Sequence, residues 1–153
     1  MLTLEQLKLA MSLHNIQRFQ THRLQSPKSV AEHSFRVGML YAYLGGKEYI
    51  PAFGHDLEEA ITGDLPSPVK KHLKGLEEFE KIRPQFLNTE EKKLSKIADK
   101  LELLLDLKEQ LNDTGRLPKK LMDIYETEME MLFDLSKDSG KLKEVKQLLK
   151  ELA

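Results

Sequence analysis

Four short segments of this chain gather side chains that ligate metals and move protons. They are Ser29-Val30-Ala31-Glu32-His33, Gly54-His55-Asp56-Leu57-Glu58-Glu59, Thr62-Gly63-Asp64-Leu65-Pro66-Ser67-Pro68 and Lys96-Ile97-Ala98-Asp99. Together they offer two imidazoles and two carboxylates, with Glu59 and Asp64 left over for acid/base or substrate work. Such a mixed nitrogen and oxygen donor set suits a borderline divalent ion such as Co, Zn, Mn, Fe or Ni better than a thiophilic or all-oxygen site. The chain has no Cys, which removes thiolate zinc sites, Cys nucleophiles and disulfides. Taken singly, each residue has an ordinary reading as well. His33 alone passes for a partly buried structural His, and Glu59 alone for a surface carboxylate. Arg18 beside Phe19 reads equally as a phosphate clamp beside a packing ring or as an exposed Arg next to a core Phe. Lys70, Lys71 and Lys96 read singly as solvated, and His14, His22 and His72 have no partnered spacing. It is the ordered set that carries weight, since short motifs arise by chance.

The elements that must position these residues are helical. No sustained alternation of period two appears, so the chain reads as all-α, a bundle of about six to seven helices. Thr3 and Gln6 form a capping-box pattern that opens a helix over about 3–14. An irregular polar stretch, 17–28, holds Arg18, Phe19, His22 and Arg23. Ser29 and Glu32 form a second capping-box pattern, opening a helix to Leu44 with His33 in its first turn. That helix is apolar on most of its circumference, as expected in the middle of a bundle. A third helix over about 48–61, tolerant of Pro51 in its first turn, carries His55, Asp56 and Glu59. On a regular helix, His55 and Asp56 diverge by about 100° while Glu59 shares the face of His55. Residues 63–68 read as a turn, 67–73 as a short helix, and 75–88 as a charged stretch with a few apolar anchors. Asn88 with Glu91 caps a long helix to about Leu111. Pro118 opens another to about Leu135, and 141–152 form a last amphipathic helix.

On the long helix periodicity leaves two carboxylates in competition. Leu94, Ile97, Ala98, Leu101, Leu104 and Leu105 make an apolar stripe, and Asp99 falls opposite it. Leu103 and Leu107 lie on that opposite side too, so the stretch is a candidate for burial all round. Asp106, two turns on from Asp99 on the same face, rivals it as a ligand on spacing alone.

Composition narrows the class. The 153 residues, 40% hydrophobic and 32% charged with net charge −1, suit one globular domain over 1–153. No strongly basic surface is implied, which argues against a nucleic-acid partner. No apolar run is long enough to span a membrane and no signal-peptide pattern opens the chain, so the expected location is the cytoplasm.

The run Arg18-Phe19, Ser29-Val30-Ala31-Glu32-His33-Ser34, His55-Asp56-x-x-Glu59, Thr62-Gly63-Asp64-Leu65-Pro66-x-Pro68-Val69-Lys70 and Ala98-Asp99 resembles the HD-domain phosphohydrolase superfamily. Within it, the chain looks closest to the YfbR-like 5′-deoxynucleotidases and the small viral dATP triphosphohydrolases. The resemblance spans 18–104, and the Thr-Gly-Asp-Leu-Pro-x-Pro segment is its specific part. It implies a divalent metal on His33, His55, Asp56 and Asp99, which would settle the rivalry in favour of Asp99. A second divalent ion could accompany the substrate phosphates. Glu59 matches the family's catalytic carboxylate, Arg18 its phosphate-contacting Arg, and Asp64 a substrate-site Asp near the sugar. Lys70 and Lys96 match basic positions near the phosphates. Phe19 stands where relatives usually carry a Trp that helps exclude a ribose 2′-hydroxyl. The implied activity is release of phosphate from 2′-deoxynucleoside 5′-monophosphates. The alternatives are release of tripolyphosphate from a dNTP, or nucleotide binding or scaffolding without turnover. The implied assembly is a homodimer or larger homo-oligomer, with the helices after 118 as candidate contacts.

Overall fold

The computed structural model describes residues 1–19 and 27–153. Most of the irregular stretch expected over 17–28, including His22 and Arg23, lies outside the described residues. Among those described, the chain is helical without a regular strand. Helix α1 (Leu4–Ser12) opens with the Thr3/Gln6 capping box, both of whose hydrogen bonds form, and runs into a 3-10 turn at Leu13–Asn15. An antiparallel bridge then joins Gln17 to Ser29, with Arg18 N–H donating to the Lys28 carbonyl at 2.8 Å and Val30 N–H to Ile16 at 2.7 Å. The bridge sets Arg18 beside the start of α2.

Helix α2 (Val30–Tyr43) begins where the Ser29 hydroxyl accepts from Glu32 N–H at 3.1 Å. It buries Val30, His33, Val37, Leu40 and Tyr41, but not its whole circumference. Phe35, Met39 and Tyr43, spaced by four, stand 59%, 53% and 61% exposed on the outer face. The single helix expected over 48–61 is broken. Helix α3 (Tyr49–Phe53) stops at Gly54, and α4 is a single turn, Glu59–Thr62. Between them the bonds close over three residues rather than four: Leu57 N–H to Gly54, Glu59 N–H to Asp56 and Ala60 N–H to Leu57. Glycine at the break lets Pro84 pack closely, since a Cβ on Gly54 would lie 2.8 Å from its ring. Gly38 allows α3 to approach α2, because a Cβ there would meet the Phe53 ring at 2.2 Å.

Two further short helices follow, α5 (Ser67–Lys70) and α6 (Leu76–Glu80). Helix α7 (Thr89–Thr114) is the axis of the bundle, capped by Asn88 accepting from Glu90 N–H at 2.8 Å. It packs against α2, α8 (Lys119–Asp138) and α9 (Leu142–Glu151). The main core joins Val37, Leu40, Tyr41 and Leu44 of α2 to Ile97, Leu101 and Leu104 of α7, Leu132 of α8 and Leu148 of α9. A smaller core of Leu13, Val30 and Leu57 seats the 54–58 segment against the N-terminal region. Among the described residues no helix is long and apolar enough to cross a membrane.

Candidate metal centre and the groups around it

Three elements converge at the first turn of α2: His33 from α2, His55 and Asp56 from the broken segment, and Asp99 from α7. The two imidazole Nε2 atoms lie 3.2 Å apart. Asp56 Oδ2 is 3.3 Å from His33 Nε2 and 3.1 Å from His55 Nε2. Asp99 Oδ1 is 3.1 Å and 3.7 Å from the same two nitrogens. Donor atoms of His33, His55 and Asp99 all fall within 4.8 Å of one another. The broken helix makes this possible. On a continuous one, His55 and Asp56 would diverge; in the tight turns after Gly54 they face the same point.

The far side of each ring fixes its orientation. His33 Nδ1–H donates to Glu102 Oε2 at 2.5 Å, and His55 Nδ1–H donates to the Ala52 carbonyl at 2.9 Å. With both Nδ1 atoms engaged, both Nε2 lone pairs aim at each other and at two carboxylates. Two lone pairs at that separation repel unless a proton or a cation lies between them. Orientation of ligating imidazoles by a carboxylate or carbonyl on the other nitrogen is a general feature of metal sites. The donor set therefore fits a divalent transition metal.

Without a cation, protons take its place. Burial and the Arg18 charge would lower the His33 pKa, but hydrogen bonds to Asp56, Asp99 and Glu102 raise it well above the ordinary histidine value. Burial would lower His55 too, yet the Asp56 charge, with hydrogen bonds to Asp56 and Asp99, pushes it up to about 10. Burial would raise both carboxylates, and the imidazolium partners instead hold Asp56 and Asp99 below the ordinary range.

Glu59 lies beside this cluster, 4% exposed. Burial first, then the charges of Asp56 and Asp64, push its pKa up to about 8, against Lys70, whose Nζ is 3.1 Å from Oε1. Arg18 Nη1 is 3.0 Å from Glu102 Oε2 and 3.6 Å from Asp106 Oδ2. Its guanidinium lies over the Phe19 ring, 4.8 Å from the centroid. Phe19 adopts a left-handed backbone with φ of 53°, and its N–H donates to Asp64 Oδ2 at 2.6 Å. A bulky residue with positive φ is strained, so the surroundings must hold it there. Asp64 thus ties the 63–66 turn to the Arg18-Phe19 dipeptide. Lys96 is exposed on α7, one turn before Asp99.

The structure separates Asp99 from its rival. Asp99 faces the imidazoles, whereas Asp106, 1% exposed, faces Lys28 at 2.9 Å and Arg18. Sequence reasoning missed Glu102, which is fully buried behind His33, and Glu58, which is 2% exposed and paired with Arg83 through Nε at 2.6 Å. The i+4 spacing from His55 singles out Glu59 but gives no partner for Glu58, and Glu102 reads as one more charge in a Lys- and Glu-rich helix.

The all-helical bundle is matched by solved HD-domain phosphohydrolases. A cyanophage S-2L HD phosphohydrolase (DatZ), solved bound to dA and one catalytic Zn2+ ion, matches with a TM-score of 0.72 at 24% identity, covering 94% of this chain and 96% of that one. An HD-domain phosphohydrolase from Listeria innocua also matches at 0.72, with 19% identity over 96% of this chain and 85% of that one. Residues 6–83, just over half of the chain, match the family described as 5′-deoxynucleotidase YfbR-like, and the chain belongs to that family. A 5′-deoxynucleotidase of Vibrio parahaemolyticus is 35% identical over 81 residues, a match spanning 44% of this chain and 42% of that protein.

Proposed function

We propose that this chain is a metal-dependent phosphohydrolase that releases phosphate from 2′-deoxynucleoside 5′-monophosphates, with 1–153 acting as one HD-domain unit. The observation that carries the reading is the aim of His33 Nε2 and His55 Nε2, 3.2 Å apart, at one point flanked by Asp56 and Asp99. His33, His55, Asp56 and Asp99 would hold the ion. Such an ion supplies charge to polarise the phosphoryl group and acidifies water. The family's description as 5′-deoxynucleotidase supports the substrate class, and the dA and Zn2+ bound by the cyanophage protein support a deoxynucleotide and zinc as the first metal to try.

The chain's own groups then have distinct tasks. Glu59 is buried next to Asp56, with a pKa pushed up to about 8, so it can take and return a proton near neutral pH. Lys70, 3.1 Å from Glu59, and the more distant Lys96 bring positive charge to the phosphate side. Arg18, held by Glu102 and Asp106, points a guanidinium at the same region and neutralises charge on phosphoryl oxygens. Phe19 packs on the sugar, and Asp64 fixes the dipeptide while facing the sugar hydroxyls. A triphosphate substrate would use the same centre at the α-phosphorus, and the product distinguishes the two: orthophosphate from a monophosphate, tripolyphosphate from a dNTP. Self-association is part of the reading. Its candidate contacts are the helices after 118 and the exposed Phe35, Met39 and Tyr43 of α2. A panel of mono-, di- and triphosphates with single divalent metals tests the proposal; no phosphate release with any of them would overturn it.

A further inference from the structure

We propose that Glu102 is a positioning residue that orients the metal-ligating face of His33 and the guanidinium of Arg18 with one carboxylate. The inference rests on the metal site of the proposed function. Glu102 sits on α7, three residues after Asp99, and is 0% exposed. A carboxylate at that depth is unfavourable unless its charge is paired and hydrogen-bonded. Its three partners come from two places in the chain, α2 and the residue Arg18 ahead of it. Oε2 accepts from His33 Nδ1 at 2.5 Å and from Arg18 Nη1 at 3.0 Å. Oε1 lies 3.3 Å from Arg36 Nε, one helical turn beyond His33 on α2.

The two contacts on Oε2 have different consequences. The His33 contact places the ring proton on Nδ1 and leaves the Nε2 lone pair aimed at His55 and Asp99. The Arg18 contact fixes where the guanidinium stands. One oxygen therefore sets the angle between the ion's ligand and the group proposed for the phosphate. The neighbouring Asp106 supplies a control within the same helix. It is nearly as buried, at 1%, and also pairs with Arg18 at 3.6 Å, but it pairs with Lys28 as well and has no imidazole contact among the described residues. A general electrostatic role for buried acids on α7 predicts the same outcome for both; positioning predicts different ones.

The test is Zn2+ affinity, measured by competition with a chromogenic chelator, for wild type, Glu102→Gln, Glu102→Asp and Asp106→Asn, with thermal unfolding of each. Glu102→Gln keeps the shape but loses the charge and one acceptor. It should bind Zn2+ about 10- to 100-fold more weakly, the usual effect of removing a residue that orients a ligand. Asp106→Asn should hold Zn2+ as wild type does, and Glu102→Asp should regain part of the loss. At saturating Zn2+, Glu102→Gln should raise KM for a deoxynucleoside monophosphate more than it lowers kcat, through Arg18. A cooperatively folded Glu102→Gln with wild-type Zn2+ affinity would overturn the inference. So would equal losses in Glu102→Gln and Asp106→Asn. If Glu102→Gln does not fold, Glu102→Asp against Asp106→Asn decides on the same criteria. A wild type that takes up no divalent metal overturns the proposed function itself, which is established before any variant is compared.

Discussion

Glu59→Gln should make the metal-free protein more stable and the enzyme much slower. The carboxyl is 4% exposed, and burial, reinforced by Asp56 and Asp64, moves its pKa from 4.5 to about 8 despite Lys70. A shift of that size corresponds to a ceiling of ~5 kcal/mol, at about 1.4 kcal/mol per unit. The folded pKa is raised, so the fold favours the protonated acid. The associated stability is fully present below the unfolded value and is lost as pH rises through about 8. Gln has nothing to ionise and keeps nearly the same volume. Water entry and relaxation reduce the gain, so Glu59→Gln should exceed wild type by roughly 2–4 kcal/mol at about pH 9, the gap closing towards about pH 5. Denaturant unfolding of the chelator-treated proteins across that range measures it. With metal present, the variant should keep its ion and bind nucleotide while turnover falls about 10²–10⁴-fold, the range for one general acid/base group. A pH-independent stability difference would refute the raised pKa. Near-wild-type turnover would remove Glu59 from the chemistry.

Other outcomes test the neighbouring groups. Asp99→Ala and His55→Ala should each lose bound metal and activity, while Asp106→Asn keeps its metal; metal loss confined to the Asp106 variant would reverse the assignment. Asn is the better probe there, because it keeps the buried side chain's volume and an oxygen acceptor facing Lys28. Because His55 titrates at about 10 without metal and His33 is also raised, binding must expel protons. Apparent Zn2+ affinity should climb about tenfold per pH unit for each proton released between about pH 6 and 8; isothermal titration in two buffers of different ionisation enthalpy counts them, and a count of zero contradicts the linkage. Phe19→Ala should narrow the preference for deoxy- over ribonucleotides, mainly by admitting the ribonucleotide. Burying an unpartnered 2′-hydroxyl disfavours binding by about 1–3 kcal/mol, or roughly 5- to 150-fold, and a Phe should give the lower part of that range. The ratio of kcat/KM for a matched dNMP/NMP pair checks it, and an unchanged ratio would remove Phe19 from the sugar pocket.

Elements defined by local chemistry were legible in the sequence. The Thr3/Gln6 box, the Ser29 cap and the Asn88 cap all open helices where side-chain acceptors predict them. Features decided by distant contacts were not. Gly54 packs against Pro84, thirty residues away, a contact no local pattern shows; the sequence reads as a continuous helix over 48–61, and with it a divergence of His55 and Asp56 that the structure does not have. Helix α7 is buried on several sides, which erases the periodic signal that would rank Asp99 against Asp106. Glu102 resembles its charged neighbours until α2 brings His33 against it. The apolar residues of α2 predict burial over most of its circumference, but Phe35, Met39 and Tyr43 remain outside.

The central claim is that the His33, His55, Asp56 and Asp99 centre hydrolyses a deoxynucleotide with a bound divalent ion. The most direct measurement is phosphorus NMR of dAMP and dATP incubated with Zn2+-loaded protein, alongside Asp99→Ala and a chelator-treated sample. The account predicts an orthophosphate signal growing from dAMP with wild type alone, and none with Asp99→Ala or after chelation. Tripolyphosphate from dATP with dAMP untouched would contradict the monophosphate assignment. Full metal occupancy with neither nucleotide consumed, or hydrolysis that survives in Asp99→Ala, would contradict the account of the centre.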